Sequence, residues 1–411
     1  MSDAAPSQVP LLLRQGVQMP NPDSITVDHS VNIEQIAPGV VIHPGCRITG
    51  SKTSLGPGCV LGEEAPVTLD NCQLGAKVRL AGGYFSEATF LDRSSMGSGA
   101  HVRPGTLIEE EAGGAHTVGL KQTILFPYAV MGSLINFCDA LISGGTSRQN
   151  HSEVGSSYIH FNFTPHHDKA TPSLVGDVPR GVMLDQPPVF LGGQGGLVGP
   201  AQIEFGAVVP AGIIVRNDIR ASGLFMPETR DRKPVPHYQS GAYQAINRII
   251  INNLNYIGNI HALRTWYRQV RSCFLNDDAF QTACLAGAEE RLATIRNERI
   301  QRLHQLAENM PRSLALAKSG SNAVNLNAQP YLQQAALIER WPQMRESLIN
   351  LEAEEGDREK RDRLMEGLAQ VPARTDYLNA VKVLDSNARA AGTAWLNSIV
   401  DAAVRLWPRV G

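Results

Sequence analysis

Residues 190–215 read FLGGQGGLVGPAQIEFGAVVPAGIIV, and their spacing decides the fold of the first half of the chain. An aliphatic residue recurs every six positions, and two glycines stand in phase between these positions. A six-residue period is typical of hexapeptide β-solenoids, in which three short strands form a triangular coil of ~18 residues. The aliphatic residues that keep this step are Leu197, Ile203, Val209 and Val215, and the in-phase glycines are Gly206 and Gly212.

The same period occurs in four stretches nearer the N-terminus, namely Ile36–Ile48, Leu55–Leu61, Leu74–Leu80 and Met96–Ile108. Because chance does not supply five such runs, the sequence predicts a parallel β-helix over residues 25–229, with an N-terminal arm over 1–24. Residues 144–190 interrupt the repeat with polar and aromatic sequence. They therefore predict inserted loops on one face of the solenoid, where binding sites are common.

Composition changes in the second half of the chain. Of the 38 glycines, 30 lie in residues 1–230 and 8 in 231–411, and all four tryptophans lie in the later part. Apolar residues there follow helical spacing, so we expect an α-helical bundle over 240–411 that packs on the solenoid or forms oligomers. The basic, proline-containing stretch near residue 233 predicts a linker over 230–239. Four further prolines are predicted to separate the helices: Pro311, Pro330, Pro342 and Pro372.

Charge and hydropathy exclude several classes of protein. Lys and Arg number 37 against 39 Asp and Glu, which leaves no basic field for nucleic acid. No apolar run approaches the ~18 residues of a membrane span. The triplet Leu11–Leu13 is too short for a signal peptide. The six cysteines show no CxxC spacing and indicate reduced thiols, so we expect a cytoplasmic protein.

A family resemblance rests on residues 190–215 and on four short motifs upstream: Val154-Gly155, Asn162-Phe163, Lys169 and Val175-Gly176-Asp177. Together they resemble the acetyltransferase domain of the bifunctional N-acetylglucosamine-1-phosphate uridyltransferase/glucosamine-1-phosphate acetyltransferase family. The resemblance implies a left-handed β-helix that assembles as homotrimers, with active-site clefts between subunits. It also implies coenzyme A-dependent acyl transfer, with acetyl-CoA or another acyl-CoA as co-substrate and an amino sugar phosphate or sugar nucleotide as acceptor.

Two features of the family pattern are missing. The glycine-rich nucleotidyltransferase signature Leu-x-x-Gly-x-Gly-Thr-Arg is not found in residues 1–25, so we do not expect uridylyl transfer. An ungapped count back from Asn162 places Asp139 where the family has its general-base histidine. By resemblance, Asn162 and Lys169 contact the sugar substrate, whereas Gly193 and Ala211 line the coenzyme A groove through their backbones.

The chemistry of acyl transfer suggests further candidates. The reaction needs a base of near-neutral pKa, and His151 with Glu153 as its orienting partner meets that need, although a loop hydrogen-bonding role for His151 stays open. His160 lies two residues before Asn162 and shares its face if the chain is extended there. The remaining candidates are cations for a phosphate, Arg148 and Lys169, and a further substrate contact, His166.

Three functional hypotheses follow. The first is the acyltransferase, and the second is a non-catalytic trimer that binds a sugar nucleotide or carbohydrate. The third is a zinc-dependent β-helix hydratase or lyase, which the adjacent pair His166-His167 suggests. Adjacent side chains point apart in a strand, so we expect no metal. We expect small-molecule ligands, and neither nucleic acid nor membrane as a partner.

Overall fold

The computed structural model describes residues 8–226, 239–319 and 328–407. Residues 8–226 form a parallel β-solenoid of about 11 turns, and the rest form a region of several helices. The predicted β-solenoid with a C-terminal helical region is therefore confirmed. The predicted linker over 230–239 lies outside the described residues, apart from Gln239.

The coils contribute strands to three faces, and the strands of these faces pair in parallel with their neighbours in adjacent coils. The first face is a 10-stranded sheet. Its strands are Val41–Ile42, Val60–Leu61, Arg79–Leu80, Ser95–Met96, Gly113–Gly114, Val130–Met131, Glu153–Val154, Phe190–Leu191, Ala207–Val209 and Gly223–Leu224.

The second and third faces belong to one 16-stranded sheet. The strands of the second face are Thr26–Val27, Arg47–Thr49, Val67–Asp70, Gly83–Ser86, Ala100–Val102, Ile159–Phe161, Gly196–Val198 and Ile214–Val215. Those of the third face are Ser54–Leu55, Gln73–Leu74, Ala88–Phe90, Thr106–Ile108, Ser173–Val175 and Gln202–Ile203. Two longer strands run through both faces, Val118–Leu125 and Ile135–Ile142.

Corners between the faces carry the loops. We call the corner between the first and second faces the first corner. The second corner lies between the second and third faces. The third corner joins the third face to the first face of the next coil. The two long strands turn the second corner without leaving the ladder, because Gln122 (φ 48°) and Asp139 (φ 62°) adopt a left-handed conformation. Aspartate tolerates this conformation better than most residues.

The interior of the solenoid is made of stacked apolar ladders. Every aliphatic residue that defined the six-residue step is buried, including Ile36, Leu55, Val102 and Val215. On the second face one ladder runs through successive coils as Val102, Leu120, Phe137, His160, Leu197 and Val215. The six-residue pattern therefore marks the inward positions, as predicted.

The described part of the predicted N-terminal arm packs against the solenoid. A short helix, α1 (Val9–Arg14), buries Val9 and Leu12 against the apolar core, and Gln18 pairs in parallel with Val41. This segment covers the open end of the first coils. Two 3₁₀ turns follow at Pro22–Ser24 and Ile33–Gln35.

The longest helix, α4 (Ala279–Ser319), lies along the third face, and several of the other helices pack on α4 or on one another. It meets the third-face strands of several successive coils so closely that a Cβ atom on Gly287 would clash with Oε1 of Gln73. Apart from α1, the helices are α2 (Val178–Gly181), α3 (Asn247–Gln269), α4 (Ala279–Ser319), α5 (Gln329–Asn350), α6 (Arg358–Ala369), α7 (Tyr377–Val383) and α8 (Ser386–Val404). Two further 3₁₀ turns are Arg271–Phe274 and Leu351–Ala353. None of the helices in the described ranges is both long and apolar enough to cross a membrane.

Two of the prolines predicted to separate helices lie inside them. Pro311 is within α4 and Pro342 within α5. A proline removes one hydrogen bond of a helix, but packing on both sides offsets that loss here. Met310 and Ser313 are buried around the first proline, and Trp341 and Met344 around the second.

Candidate functional site

The predicted site residues fall at different corners of the solenoid. His151 and Glu153 follow the third corner, where a hairpin of strands Gly145–Ser147 and Asn150–His151 is inserted. Asn162 and Lys169 lie in a loop at the second corner, and Gly193 lies at the first. Within the described residues of one chain, no hydrogen bond or ion pair joins these three groups.

The hairpin gives His151 a defined orientation. Nδ1 of His151 lies 2.7 Å from the carbonyl oxygen of Arg148, so this nitrogen donates a hydrogen bond to the carbonyl. Nε2 of His151 lies 3.9 Å from Oε2 of Glu153, which is too long for a hydrogen bond. Because Nδ1 is the donor, Nε2 is the nitrogen with the free lone pair in a neutral ring, as a base requires. Arg148 itself is exposed at the tip of the hairpin.

His160 occupies an interior position of the solenoid. Its ring stacks on Phe137 with 5.7 Å between centroids, and its Nε2 lies 2.8 Å from Oγ of Ser173. Nδ1 donates to the carbonyl oxygen of Cys138. Burial lowers the pKa of His160, so the ring stays neutral. The structure therefore corrects the expectation that His160 shares a face with Asn162, because its side chain points inward and joins two strands.

His166 joins the second-corner loop to the helical region. Its ring stacks on Tyr243 at a centroid distance of 4.4 Å, and its Nδ1 accepts a hydrogen bond from the backbone N–H of Gly241. Burial lowers its pKa. The neighbouring Asp168 accepts a hydrogen bond from the hydroxyl of Tyr243 at 3.1 Å. These contacts hold the loop in place on the helices, and they occupy the groups by which His166 was expected to meet a substrate.

Asn162 and Lys169, in contrast, line a cleft of about 260 Å³ at the second corner. One wall is the solenoid and the other is the middle of α4. The side chains that line it are Arg103, Lys121, Gln122, Asn136, Cys138, Asp139, Asn162, Lys169, Glu298, Arg299 and Arg302. Both substrate contacts that the family resemblance implied thus face one cleft.

Both carboxylate oxygens of Asp139, the residue at the position of the family's general base, contact other side chains. Its Oδ1 lies 2.9 Å from Nη2 of Arg299 on α4, and both side chains are almost completely buried. Its Oδ2 accepts a hydrogen bond from Nδ2 of Asn162 at 2.9 Å. Arg299 also donates to Oε1 of Gln122 and to the carbonyl oxygen of Lys169. Asp139 therefore serves here as the anchor of an arginine from the helical region.

Three cations in the cleft have no carboxylate partner. Among the residues that the structure describes, Arg103, Lys121 and Lys169 form no ion pair. Arg103 instead donates to Sγ of Cys138, and Lys169 lies over the ring of Phe163, 5.9 Å from its centroid. Unpaired cations that converge on one cleft attract an anion.

Sequence reasoning missed Arg103 and Lys121, although a signal was present. They are one coil apart, since Val102 pairs with Leu120 in the ladder and Lys121 pairs with Cys138 in the next coil. A spacing of about 18 residues stacks side chains at the same corner of a solenoid. A search for charged residues at that spacing would have found both.

The first corner carries the residues that the resemblance assigned to coenzyme A. Gly193 and Ala211 lie in successive coils, where the carbonyl oxygen of Gly193 accepts a hydrogen bond from the N–H of Gly212 at 2.9 Å. A Cβ atom on Gly193 would lie 2.7 Å from the carbonyl oxygen of Ser156. The close stacking of coils therefore requires glycine at this position. Ala211 is exposed on the surface.

In the described ranges, no three His, Cys, Asp or Glu side chains are grouped so that they could hold a metal ion. The pair His166-His167, which prompted the zinc hypothesis, is divided between two environments. His166 stacks on Tyr243, whereas His167 is exposed and meets Phe163 edge-on.

Comparison with known proteins finds relatives over about half of the chain. It is 28% identical over 219 residues to the bifunctional protein GlmU of Trichlorobacter lovleyi, an alignment that covers 53% of this chain and 42% of that protein. The protein of the same name from Pelobacter propionicus is 27% identical over 219 residues, with the same coverage. That of Thermotoga petrophila is 24% identical over 220 residues, which are 53% of this chain and 44% of that protein.

No protein-family model matches the chain. The chain also spans less than half the length of the relatives above. The similarity nevertheless confirms the family resemblance predicted from the sequence. Over about half of its length, the chain is similar to the bifunctional GlmU proteins.

Proposed function

We propose that the second-corner cleft binds a phosphate-bearing sugar, either an amino sugar phosphate or a sugar nucleotide. The observation that carries the proposal is the set of three cations that form no ion pair with any described residue, Arg103, Lys121 and Lys169, around a space of about 260 Å³. A phosphate group satisfies such cations through charge-assisted hydrogen bonds.

The remaining polar groups of the cleft suit a sugar. Asn136 and Asn162 offer amide groups that both donate and accept, which is how proteins meet hydroxyl groups. Arg299 and Asp139 neutralise each other and fix the floor of the cleft. The cleft therefore suits an anion with several hydroxyl groups. Binding of such a ligand is the function that the geometry supports best.

Acyl transfer from an acyl-CoA is the second candidate. Two observations favour it: the similarity to GlmU proteins and the hydrogen bond from Nδ1 of His151 to the Arg148 carbonyl, which orients the ring. Asp139 is held by Arg299 and Asn162, so the base of an acyltransferase would be His151, oriented by Glu153. Because His151 and the cleft lie at different corners of one chain, this reaction requires a homotrimer in which a neighbouring subunit supplies His151, with acyl-CoA along the first corner near Gly193 and Ala211.

Calorimetric titration tests the binding function. Glucosamine 1-phosphate and UDP-N-acetylglucosamine are the ligands, and uncharged N-acetylglucosamine is the control. We expect Arg103→Ala and Lys121→Ala each to weaken binding of the phosphorylated ligand about tenfold, as for the loss of one charged hydrogen bond. Arg47→Ala is the matched control, because Arg47 is an exposed arginine on the same face outside the cleft. Equal affinity of the wild-type protein for N-acetylglucosamine would overturn the proposal.

Titration with acetyl-CoA, followed by an assay of thiol release with the sugar phosphate present, tests the second candidate. Turnover that disappears in His151→Ala while glucosamine 1-phosphate still binds supports acyl transfer. If a folded trimer binds the sugar phosphate but releases no thiol, the result supports the hypothesis of a non-catalytic binding protein. Sedimentation gives the oligomeric state on which the shared site depends.

A further inference from the structure

A second cavity, independent of the cleft, lies where the helical region meets the third corner of the solenoid. Its volume is about 450 Å³, within the range of small-molecule sites. On the solenoid side it is lined by Leu91 and Asp92 of one coil and Glu110 of the next. On the helical side it is lined by the 3₁₀ turn Arg271–Phe274, the start of α4, the end of α6 and residues 371–378.

Most of the cavity wall on the helical side is apolar. Phe274 packs edge-on against Tyr377 at a centroid distance of 5.6 Å and forms part of the wall. The other apolar side chains of this wall are Leu275, Leu285, Met365, Leu368, Val371 and Leu378. A surface of this kind holds the hydrocarbon part of a ligand away from water.

The solenoid side of the cavity is acidic. Asp92 accepts one hydrogen bond, from the backbone N–H of Ala76 at 2.8 Å, and forms no ion pair in the part of the chain that the structure describes. The adjacent Arg93 forms its ion pair with Glu111, and its charge acts on Asp92 only from a distance. Burial raises the pKa of the Asp92 carboxyl, and the Glu110 carboxylate adds to that effect.

The buried arginine of the cavity is already neutralised. Arg271 forms a two-pronged pair with Glu110, at 2.6 and 3.0 Å, and a third contact with Glu109 at 3.2 Å. Two carboxylates thus face one guanidinium, and Asp92 adds a third negative group. Two further cations line the cavity: Arg93 pairs with Glu111, and Arg374 is exposed, where water screens it. Beside Arg271, the three carboxyl groups of Glu109, Glu110 and Asp92 outnumber its one guanidinium.

We propose that this cavity binds an organic cation with an apolar body, whose protonated amine pairs with Asp92 while its hydrocarbon part lies between Phe274, Leu285 and Leu368. The amine gives Asp92 the charged partner that it lacks, and the apolar part fills the helical side. The proposal is independent of the sugar phosphate cleft, which lies at another corner of the solenoid and shares no lining residue with this cavity.

Calorimetry with three probes of equal chain length tests the proposal: n-octylamine, n-octanol and octanoate. We expect n-octylamine to bind at least about tenfold more tightly than octanoate, since a charged pair in a partly buried site is worth that difference. Asp92→Asn is expected to weaken n-octylamine about tenfold and to leave n-octanol unchanged. Glu359→Gln, which removes an exposed carboxylate far from the cavity lining, is the matched control.

A cavity-filling variant separates the site from non-specific adsorption. Leu285 lies on the cavity wall and is only partly buried, so Leu285→Trp fills the space without entering the solenoid core. We expect it to abolish binding of n-octylamine and n-octanol while the thermal unfolding curve remains cooperative. Octanoate binding as tightly as n-octylamine, unchanged n-octylamine affinity in folded Leu285→Trp, or no binding of either ligand would overturn the proposal.

Discussion

Two buried arginines of the helical region contact the solenoid beside a cavity, and the charged groups around them differ. At the second corner, Arg299 pairs with the buried Asp139 and lies 3.9 Å from Glu298, and three further cations of the cleft form no ion pair among the described residues. At the third corner, Arg271 contacts two glutamates, Glu109 and Glu110. The second-corner cleft is therefore lined by more basic than acidic side chains, whereas at the third corner the glutamates outnumber the arginine that they contact.

The largest expected effect comes from removing the third-corner arginine. Arg271→Met leaves Glu109 and Glu110 buried without their partner, and breaking a buried pair costs about 3–5 kcal/mol, so we expect the upper end of that range. Chemical denaturation gives the free energy of unfolding. Arg79→Met is the control, because its pair with Glu63 is exposed. A loss below about 1 kcal/mol would mean that the carboxylates become protonated or hydrated at little cost.

Removal of the second-corner arginine is expected to cost less. Arg299→Met strands one carboxylate, Asp139, so we expect a loss of about 3 kcal/mol. Asn162 still donates to that carboxylate. The double variant Arg299→Met with Asp139→Asn removes the stranded charge and is expected to recover part of the loss. If the double variant is as unstable as the sum of the single variants, the two residues are not coupled.

The third corner also holds a buried carboxyl group, that of Glu109, with a raised pKa. Burial raises the pKa of Glu109 from 4.5 to about 7, although Arg271 acts in the opposite direction. A carboxyl whose pKa is higher in the folded state stabilises the fold at low pH, and that contribution is lost as pH rises. We expect the free energy of unfolding to fall by about 2–3 kcal/mol between pH 4.5 and 7, and Glu109→Gln to flatten this part of the profile. An unchanged profile in the variant would assign the titration to another group.

The smallest effect is expected at the exposed edge of the same interface. Lys52 of the solenoid pairs with Glu290 of α4 at 2.8 Å, and both side chains are well exposed. Such pairs contribute about 0.2–1 kcal/mol, so Lys52→Ala should shift the free energy of unfolding by no more than that. A larger loss would show that Lys52 contributes through packing of its methylene groups as well.

The solenoid interior could be predicted residue by residue, because an inward side chain is required every six positions. Ile36, Leu55 and Val215 are all buried, as the step predicts. The six-residue pattern did not predict the inward position of His160, because a polar residue occupies it. In addition, the loop inserted after Phe161 breaks the six-residue count between His160 and its ladder neighbour Leu197. A histidine there is tolerated because the Cys138 carbonyl and the Ser173 hydroxyl satisfy both ring nitrogens.

Half of the candidate site could be predicted and half could not. Asn162 and Lys169, which the family resemblance assigned to substrate binding, line the same cleft, and their contact with a substrate stays a prediction. Arg299 could not be predicted, since its partner Asp139 is far away in sequence and no local pattern links a helix position to a solenoid corner. The expected roles of His151, Glu153, Gly193 and Ala211 stay predictions.

The long helix α4 also fixes a length. Arg291 contacts Glu87, and Arg299, eight residues later, contacts Gln122 and Asp139. Eight helical residues rise about 12 Å, and the three coils from Glu87 to Asp139 rise about 14 Å at about 4.8 Å per coil. A solenoid alone gains or loses whole coils without penalty to its ladders, but a coil added here would move Asp139 one strand spacing away from Arg299. The contacts of α4 therefore restrict this part of the solenoid to a fixed number of coils.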